Sequence, residues 1–350
     1  MTISIYHDAL IQNGGAEQVV LNWASHYKTR INTLGKSKTF YSENQVETRI
    51  LFKWLRSQRF LELMYPFLPL LLLFVRKEND AIRLVSTTGI AHHIPGNWHR
   101  RILYIHSPAR WIWDEKSFNN GRSKSQIYIA RLLRPLFKIY DKKSIRNDDI
   151  LIVNSKTTQL KVLEIYNRDS EIVFPPVVGK SEKSQSIDLP LEYDKFFLQV
   201  ARVRGYKGTE ILIDILCDTN LKLIIVGEGT ERYSNNKNII GLGYVTPSSL
   251  RWLYESAQAL IAVSQEDFGL TPVEAALYGC PTIAFKQGGY LDSVQEFKSG
   301  QFVDPNDRKE LRNVLLNFNR ERYSTEDMHE FAQEFSLRKH ILELSKHFYE

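Results

Sequence analysis

This sequence of 350 residues predicts two doubly wound α/β domains, on three observations. Short, continuous runs of β-branched and aliphatic residues alternate with longer helical stretches, the pattern of parallel strands covered on both faces by crossover helices. That alternation occurs twice, on either side of the polar, Pro-bearing segment 171–190. The chain is also long enough for two separate cores of ordinary size.

Taken in order, "ISIYH" (3–7) is a first strand, and "NGGAEQVV" (13–20) opens the helix after it. "IRLVSTT" (82–88), "RILYIHS" (101–107) and "DILIVNS" (149–155) continue the first sheet. The segment "EIVFPPVVGKSEKSQSIDLP" joins a Pro-Pro turn to a strandless polar stretch, which is how a linker reads, and it puts the domain boundary at Phe174. "KFFLQVA", "KLIIVG", "NIIGLG", "ALIAVS" and "PTIAF" (195–285) are the strands of the second sheet. Phe335, Leu337, Ile341, Leu342, Leu344 and Phe348 then describe an amphipathic terminal helix. The thirteen-residue apolar run 63–75 contains Pro66 and Pro69, is too short to span a bilayer, and reads as a buried or interfacial helix.

Composition is that of a globular chain, 43% hydrophobic and 25% charged. The net charge of +6 is unevenly spread: residues 1–175 hold 26 Lys and Arg against 15 Asp and Glu, whereas 176–350 hold 20 against 25. Arg100, Arg101, Arg110, Arg122, Lys124, Arg131, Arg134, Lys138, Lys142, Lys143 and Arg146 concentrate the excess and predict a basic surface, which suits anionic headgroups or phosphorylated ligands or is a solvated face. No nucleic-acid module accompanies it, so nucleic acid is not expected as a partner. Cys217 and Cys280 read as buried positions in a reducing compartment. A strand directly after Met1 instead of a basic leader predicts a cytoplasmic protein.

Ligands of doubly wound sheets bind at the carboxyl edge, so the loops after strands carry the chemistry. Gly14 and Gly15 precede a helix whose first amides favour a phosphate, or else simply form a turn. His106 ends a strand before "SPARWIWD" and either serves a polar substrate or is an ordinary satisfied histidine. Arg202 and Lys207 in "ARVRGYKG" could neutralise a diphosphate without metal, or be unpartnered loop cations. In "SQEDFGLTPVEAALYGCP" (264–281), Thr271 and Pro272 read as a helix start, which makes Glu274 a capping-box residue or a ligand. Glu266 precedes a turn that needs no carboxylate, beside the helix-start amides of Gly269 and Leu270. "IAFKQGGYLDSV" repeats the strand, Gly-Gly, helix arrangement as a second anion-tolerant loop.

Together these words resemble the retaining glycosyltransferases of family 4, whose GT-B fold sets two Rossmann-like domains around a central cleft with a C-terminal helix crossing back to the first. The family's E-x7-E motif is matched by Glu266 and Glu274, flanked by "YGCP" and "GGYLDSV", with "ARVRGYKG" and "NGGAEQVV" upstream. "HSPARWIWD" and "HDALIQNGGAE" are similar to segments of bacterial GDP-mannose-dependent mannosyltransferases of polysaccharide assembly. Ala201 and Asp292 depart from the family's commoner glycine and glutamate.

The resemblance implies an acceptor-binding domain over 1–174 with helix 335–350, and a donor-binding domain over 175–334. Arg202 and Lys207 would hold the donor diphosphate, Glu274 the ribose and Glu266 the sugar hydroxyls. Phe268, Gly269, Leu270, Gly14, Gly15, Gly227 and Val245 would complete the donor site. His106 would be catalytic beside the sugar, with His7, Asp8, Arg110 and Trp113 on the acceptor side. The expected reaction transfers a hexose, mannose from GDP-mannose, to a lipid-linked or oligosaccharide acceptor of O-antigen or capsule, with no metal or other cofactor. Peripheral association with the inner membrane is expected, oligomerisation is left open, and the rival readings are a UDP- or dTDP-sugar transferase or a non-catalytic subunit.

Overall fold

The computed structural model describes residues 2–12, 14–38, 40, 46–57, 60, 64, 67, 71–114, 124–179, 183–201, 208–234 and 238–349. The chain divides into two compact units, Met1–Pro175 with His340–Glu350, and Pro176–Lys339.

In the first unit, strands β1 (Ile3–His7), β2 (Ile31–Thr33), β3 (Thr48–Ile50), β4 (Glu78–Thr87), β5 (Gly96–Ile105), β6 (Ile150–Val153) and β7 (Glu171–Ile172) form one sheet. Its order is β3-β2-β1-β4-β5-β6-β7 and every pairing is parallel. Helices α1 (Gly15–Tyr27), α2 (Arg110–Trp113), α3 (Lys124–Ser144) and α4 (Lys156–Tyr166) fall between the strands. Alternate residues face opposite sides. Tyr6, Val85, Leu103, Ile105, Leu151 and Val153 make one core, while Ile5, Leu84, Ile102, Tyr104 and Ile152 are buried with the opposite parity.

In the second unit, β8 (Phe197–Val200), β9 (Leu223–Val226), β10 (Ile239–Gly243), β11 (Leu260–Ala262), β12 (Thr282–Phe285) and β13 (Gly300–Val303) form a parallel sheet of order β10-β9-β8-β11-β12-β13. The helices are α5 (Thr209–Leu216), α6 (Pro247–Ser256), α7 (Leu270–Leu277), α8 (Tyr290–Ser293), α9 (Arg308–Leu316), α10 (Thr325–Gln333) and α11 (Leu337–Lys346). The period-2 rule is visible again: Phe197, Leu223 and Ile225 belong to one core, Leu198, Ile224 and Val226 to another. This is the GT-B class, two parallel-sheet Rossmann-like units.

Strands β2, β3, β7 and β13 have no counterpart in the sequence reading, because "INT", "TRI", "EI" and "GQFV" lack the continuous apolar run that marks the equally short β6, β9 and β11. The apolar run 63–75 lies largely outside the described residues; within it Leu72 is buried, whereas Leu73 and Phe74 are exposed.

The terminal helix returns to the first unit later than expected. Phe335 packs on Phe268 and Phe331, and its carbonyl accepts the Val177 amide at 2.8 Å, so residues 335–339 stay with the second unit. From His340 onward the helix closes the first. Trp23 Nε1 donates to His340 Nε2 at 2.8 Å, His340 Nδ1 is 2.6 Å from the Phe174 carbonyl, and Tyr104 meets both rings edge-on. Burial brings the His340 imidazole down to about 4.

Two surface expectations are corrected. Within the basic cluster Arg101 is buried and ion-paired with Asp149 and Arg134 is buried, whereas Arg131, Lys142, Lys143 and Arg146 are exposed, so only part of the expected basic surface is internal. Arg101 sits on β5 and Arg134 on the inward side of α3, so position in the fold, not residue type, decides. Cys280 is buried, but Cys217 is exposed because it caps the outer end of α5.

Candidate functional site

A doubly wound sheet opens a crevice where its strand order reverses. In the second unit that point lies between β8 and β11. The loop leaving β8 carries Arg202 and Lys207, which lie outside the described residues, as do all of 202–207. Its two ends are fixed. The Ala201 amide donates to the Val226 carbonyl, and Thr209 Oγ1 to Gln199 Oε1 at 2.9 Å. Gly208 has φ +72° and presses on β11's end, since a Cβ there would lie 2.5 Å from the Val263 carbonyl oxygen.

Across the reversal, the loop after β11 brings Glu266 and the start of α7 to the same edge. Ser264 Oγ donates to Glu266 Oε1 at 3.0 Å, holding a half-buried carboxylate beside the turn. Gly269 precedes the helix at φ +83° and ψ 85°, a conformation that excludes most side chains, and a Cβ would meet the Tyr290 ring at 2.6 Å. As first residues of a helix, Gly269 and Leu270 present amides that have no intrahelical acceptor.

The helix-start reading is corrected. The N-cap is Gly269, not Thr271, and no side chain caps it. Glu274 therefore falls in the second turn, too deep for a capping box. Its Oε2 accepts from Tyr254 of α6 at 3.2 Å. Burial, then Glu274's charge, pushes the Tyr254 phenol well above its ordinary value, so it stays a donor.

The Gly-Gly loop after β12 also braces the turn into α7. The Gly289 amide is taken by the Glu266 carbonyl at 2.9 Å, Ser293 Oγ donates to the Phe268 carbonyl at 3.0 Å, and the Tyr290 hydroxyl lies 2.6 Å from Ser264 Oγ. Asp292 lies in the four-residue α8. Gly227 and Val245 stand at the ends of β9 and β10, which are tied together: the Gly227 amide donates to Gly243, and the Gly243 amide to Thr230 Oγ1. From Val245 to the Gly-Gly loop the edge spans five neighbouring strand ends, roughly 19 Å at the usual strand spacing. Such an edge suits an extended ligand.

In the first unit the order reverses between β1 and β4. Ser86 Oγ lies 3.0 Å from His7 Nδ1 and 2.9 Å from His106 Nε2, so the ends of β1, β4 and β5 share one hydroxyl. Both histidines are buried, and burial pushes His7 down. Asp8 crosses the reversal: its carboxylate accepts from the amides of Thr88, Ile90 and Ala91 and from the hydroxyls of Thr87 and Thr88. Gly14 caps α1 at φ −111° and Gly15 is its first residue, so the dihedral does not itself require glycine.

Trp113 is pinned from below. Its Nε1 donates to Asp141 Oδ2 at 2.7 Å, as does the Tyr166 hydroxyl, while His92 and His93 engage Oδ1 through Nε2 at 2.9 and 3.2 Å. His92 Nδ1 lies 3.0 Å from Thr87 Oγ1, which links this cluster to Asp8. Burial works to raise the Asp141 carboxyl, but the hydrogen bonds and charges of His92 and His93 outweigh it and hold it well below the usual range. Burial and His92 bring His93 down to about 4. The ligand atoms of His92, His93 and Asp141 lie within 4.8 Å of one another, but four hydrogen bonds account for the buried carboxylate without an ion. Arg110, half-buried, begins α2. Tyr254, Ser264, Tyr290, Ser293, Ser86 and Asp141 escaped the sequence reading, because their partners are set by neighbouring loops and helices rather than by spacing.

Residues 180–335 match the family described as glycosyl transferases group 1. An uncharacterized glycosyltransferase of Methanocaldococcus jannaschii is 29% identical over 180 residues, 47% of this chain and 45% of that protein. The alpha-1,3/1,6-mannosyltransferase ALG2 of Saccharomyces cerevisiae is 21% identical over 284 residues, 65% of this chain and 55% of that protein. The match thus spans about half the length of these curated relatives. The crystal structure of Anabaena HepE in complex with UDP-glucose superposes with a TM-score of 0.69 at 16% identity, covering 98% of both chains. The stretch that resembles group 1 glycosyl transferases, residues 180–335, is thus the part of the chain built on the second of two Rossmann-like sheets.

Proposed function

We propose that the chain is a retaining hexosyltransferase that moves mannose from GDP-mannose to a lipid-linked or oligosaccharide acceptor in surface-polysaccharide assembly, and that it needs no metal. The observation that carries the transferase reading is the β11–α7 turn: one carboxylate, Glu266, stands beside helix-start amides while a second, Glu274, is held by Tyr254. Departure of a nucleoside diphosphate builds negative charge on the leaving oxygen, and fixed donors stabilise it without reorganisation. Arg202 and Lys207 supply the counter-charge, with the amides at Gly269 and Leu270. Glu266 accepts from the sugar hydroxyls and Glu274 from the ribose. The leaving phosphate oxygen takes the acceptor's proton, so no protein nucleophile is needed.

The mannosyl part is supported by the "HSPARWIWD" segment and by the likeness to ALG2. A UDP-sugar is the second reading, favoured by the likeness to a structure holding UDP-glucose. A thermal-shift panel of GDP, UDP, ADP and dTDP separates them: stabilisation by GDP alone is expected, and a response to UDP alone transfers the reading to the second donor. Arg202→Ala or Lys207→Ala is expected to cut turnover by about 100-fold or more, with turnover of the parent unchanged in EDTA. Turnover within a few-fold of the parent in either variant would end this account of the leaving group.

A further inference from the structure

Helix α3 turns a row of large apolar side chains toward solvent. Four of its large apolar residues, Tyr128, Leu132, Leu136 and Ile139, are 71, 68, 66 and 54% exposed. At the helical period they share one face. The opposite face carries buried Arg134 and Asp141 together with Phe137, which packs edge-on against Trp111, and Asp141 is fastened by His92, His93, Trp113 and Tyr166. Those four bonds fix the rotation of the helix, so the apolar stripe cannot roll inward without stranding a buried carboxylate.

Charge identifies what the stripe meets. Asp141 is the single acidic residue of α3 and points inward, so the outer face has no carboxylate. Arg131, Lys142 and Lys143 are exposed alongside the stripe, and Lys138 and Lys142 lie over the Trp113 ring at 5.1 and 5.6 Å. Single exposed apolar residues are ordinary, but a continuous stripe flanked by one sign of charge is not. A second copy docked on the same patch would set these cations against their equivalents, since a two-fold contact is self-complementary. An anionic bilayer neutralises them and takes up the side chains at the headgroup boundary. We infer that the outward face of α3 docks the protein onto an anionic lipid surface. The inference deepens the proposed use of a lipid-linked acceptor and rests on that reading for its purpose, although binding is measured without acceptor.

The test is co-sedimentation of the full chain with phosphatidylcholine vesicles made with and without phosphatidylglycerol. The parent is expected to pellet with the anionic vesicles only, and to be released by salt. Leu132→Ser/Leu136→Ser/Ile139→Ser is expected to lower binding about tenfold or more. Lys142→Glu/Lys143→Glu, with the stripe intact, is expected to weaken binding and flatten its salt dependence. Leu73→Ser/Phe74→Ser, on the other exposed apolar segment, should bind like the parent. The nucleotide-induced melting shift should persist in every variant, which shows that each is folded.

Absence of parent binding, parent-like binding by either α3 variant, or loss of binding in the Leu73/Phe74 variant instead overturns the inference. So does a serine variant that merely converts a dimer to a monomer in sedimentation velocity. Vesicle binding without any nucleotide response would overturn the transferase reading and leave the docking surface standing.

Discussion

At Glu274 one phenol decides where a carboxylate points. Tyr254→Phe removes that donor without changing the packing of the ring, and a hydrogen bond to a charged group contributes about 1.5 kcal/mol. If Glu274 receives a ribose, nucleotide Kd should rise about tenfold, read by calorimetry, with little change in melting temperature. Asp141 lies at the other extreme. It is fully buried and accepts from two imidazoles, an indole and a phenol. Asp141→Asn turns one accepting oxygen into a donor that opposes those donors, and about 3 kcal/mol of stability should be lost in urea unfolding. Glu266 was legible in the sequence because nothing local called for it, whereas Asp141 was not, since its four partners lie 25 to 49 residues away.

Among the elements, the turn into α7 is the one whose geometry is least replaceable. Gly269→Ala adds a methyl at positive φ and within 2.6 Å of Tyr290. It should cost about 1–3 kcal/mol in thermal unfolding and weaken nucleotide binding by moving the helix-start amides. Sequence alone gave the type and order of the long elements, because buried parallel strands are continuous apolar runs. It missed β2, β3, β7 and β13, and it misread the α7 start because Thr-Pro imitates a cap that Gly269's left-handed turn already supplies. The brace after β12 was equally invisible: its function is to fill the hydrogen bonds of another loop, and nothing in "GGYLDS" names the partner.

For the molecule as a whole, the first unit depends on a neutral imidazole. His340 accepts from Trp23 and contacts the Phe174 carbonyl, and its folded pKa of about 4 lies below the ordinary 6.5. A base whose pKa falls on folding contributes stability that is fully present above the unfolded value and is lost as pH drops through the folded one. Between pH 6.5 and 4 the loss from His340 should approach about 3 kcal/mol, with His93, also near 4, adding to it in the same window. Urea midpoints across that range should fall accordingly, and hydrogen exchange of α11 should rise first. A flat profile would mean that the imidazole is already charged in the native state.

The same fastening bears on how the chain is made. Residues 340–350 complete a unit whose other part is residues 1–175, so that part keeps Trp23 and Tyr104 without their cover until the entire second unit has been translated. Folding from the amino terminus onward, the usual order of synthesis, therefore leaves this half incomplete until its last eleven residues arrive. A chain ending at residue 339 should be protease-sensitive over 1–175 while 176–339 resists.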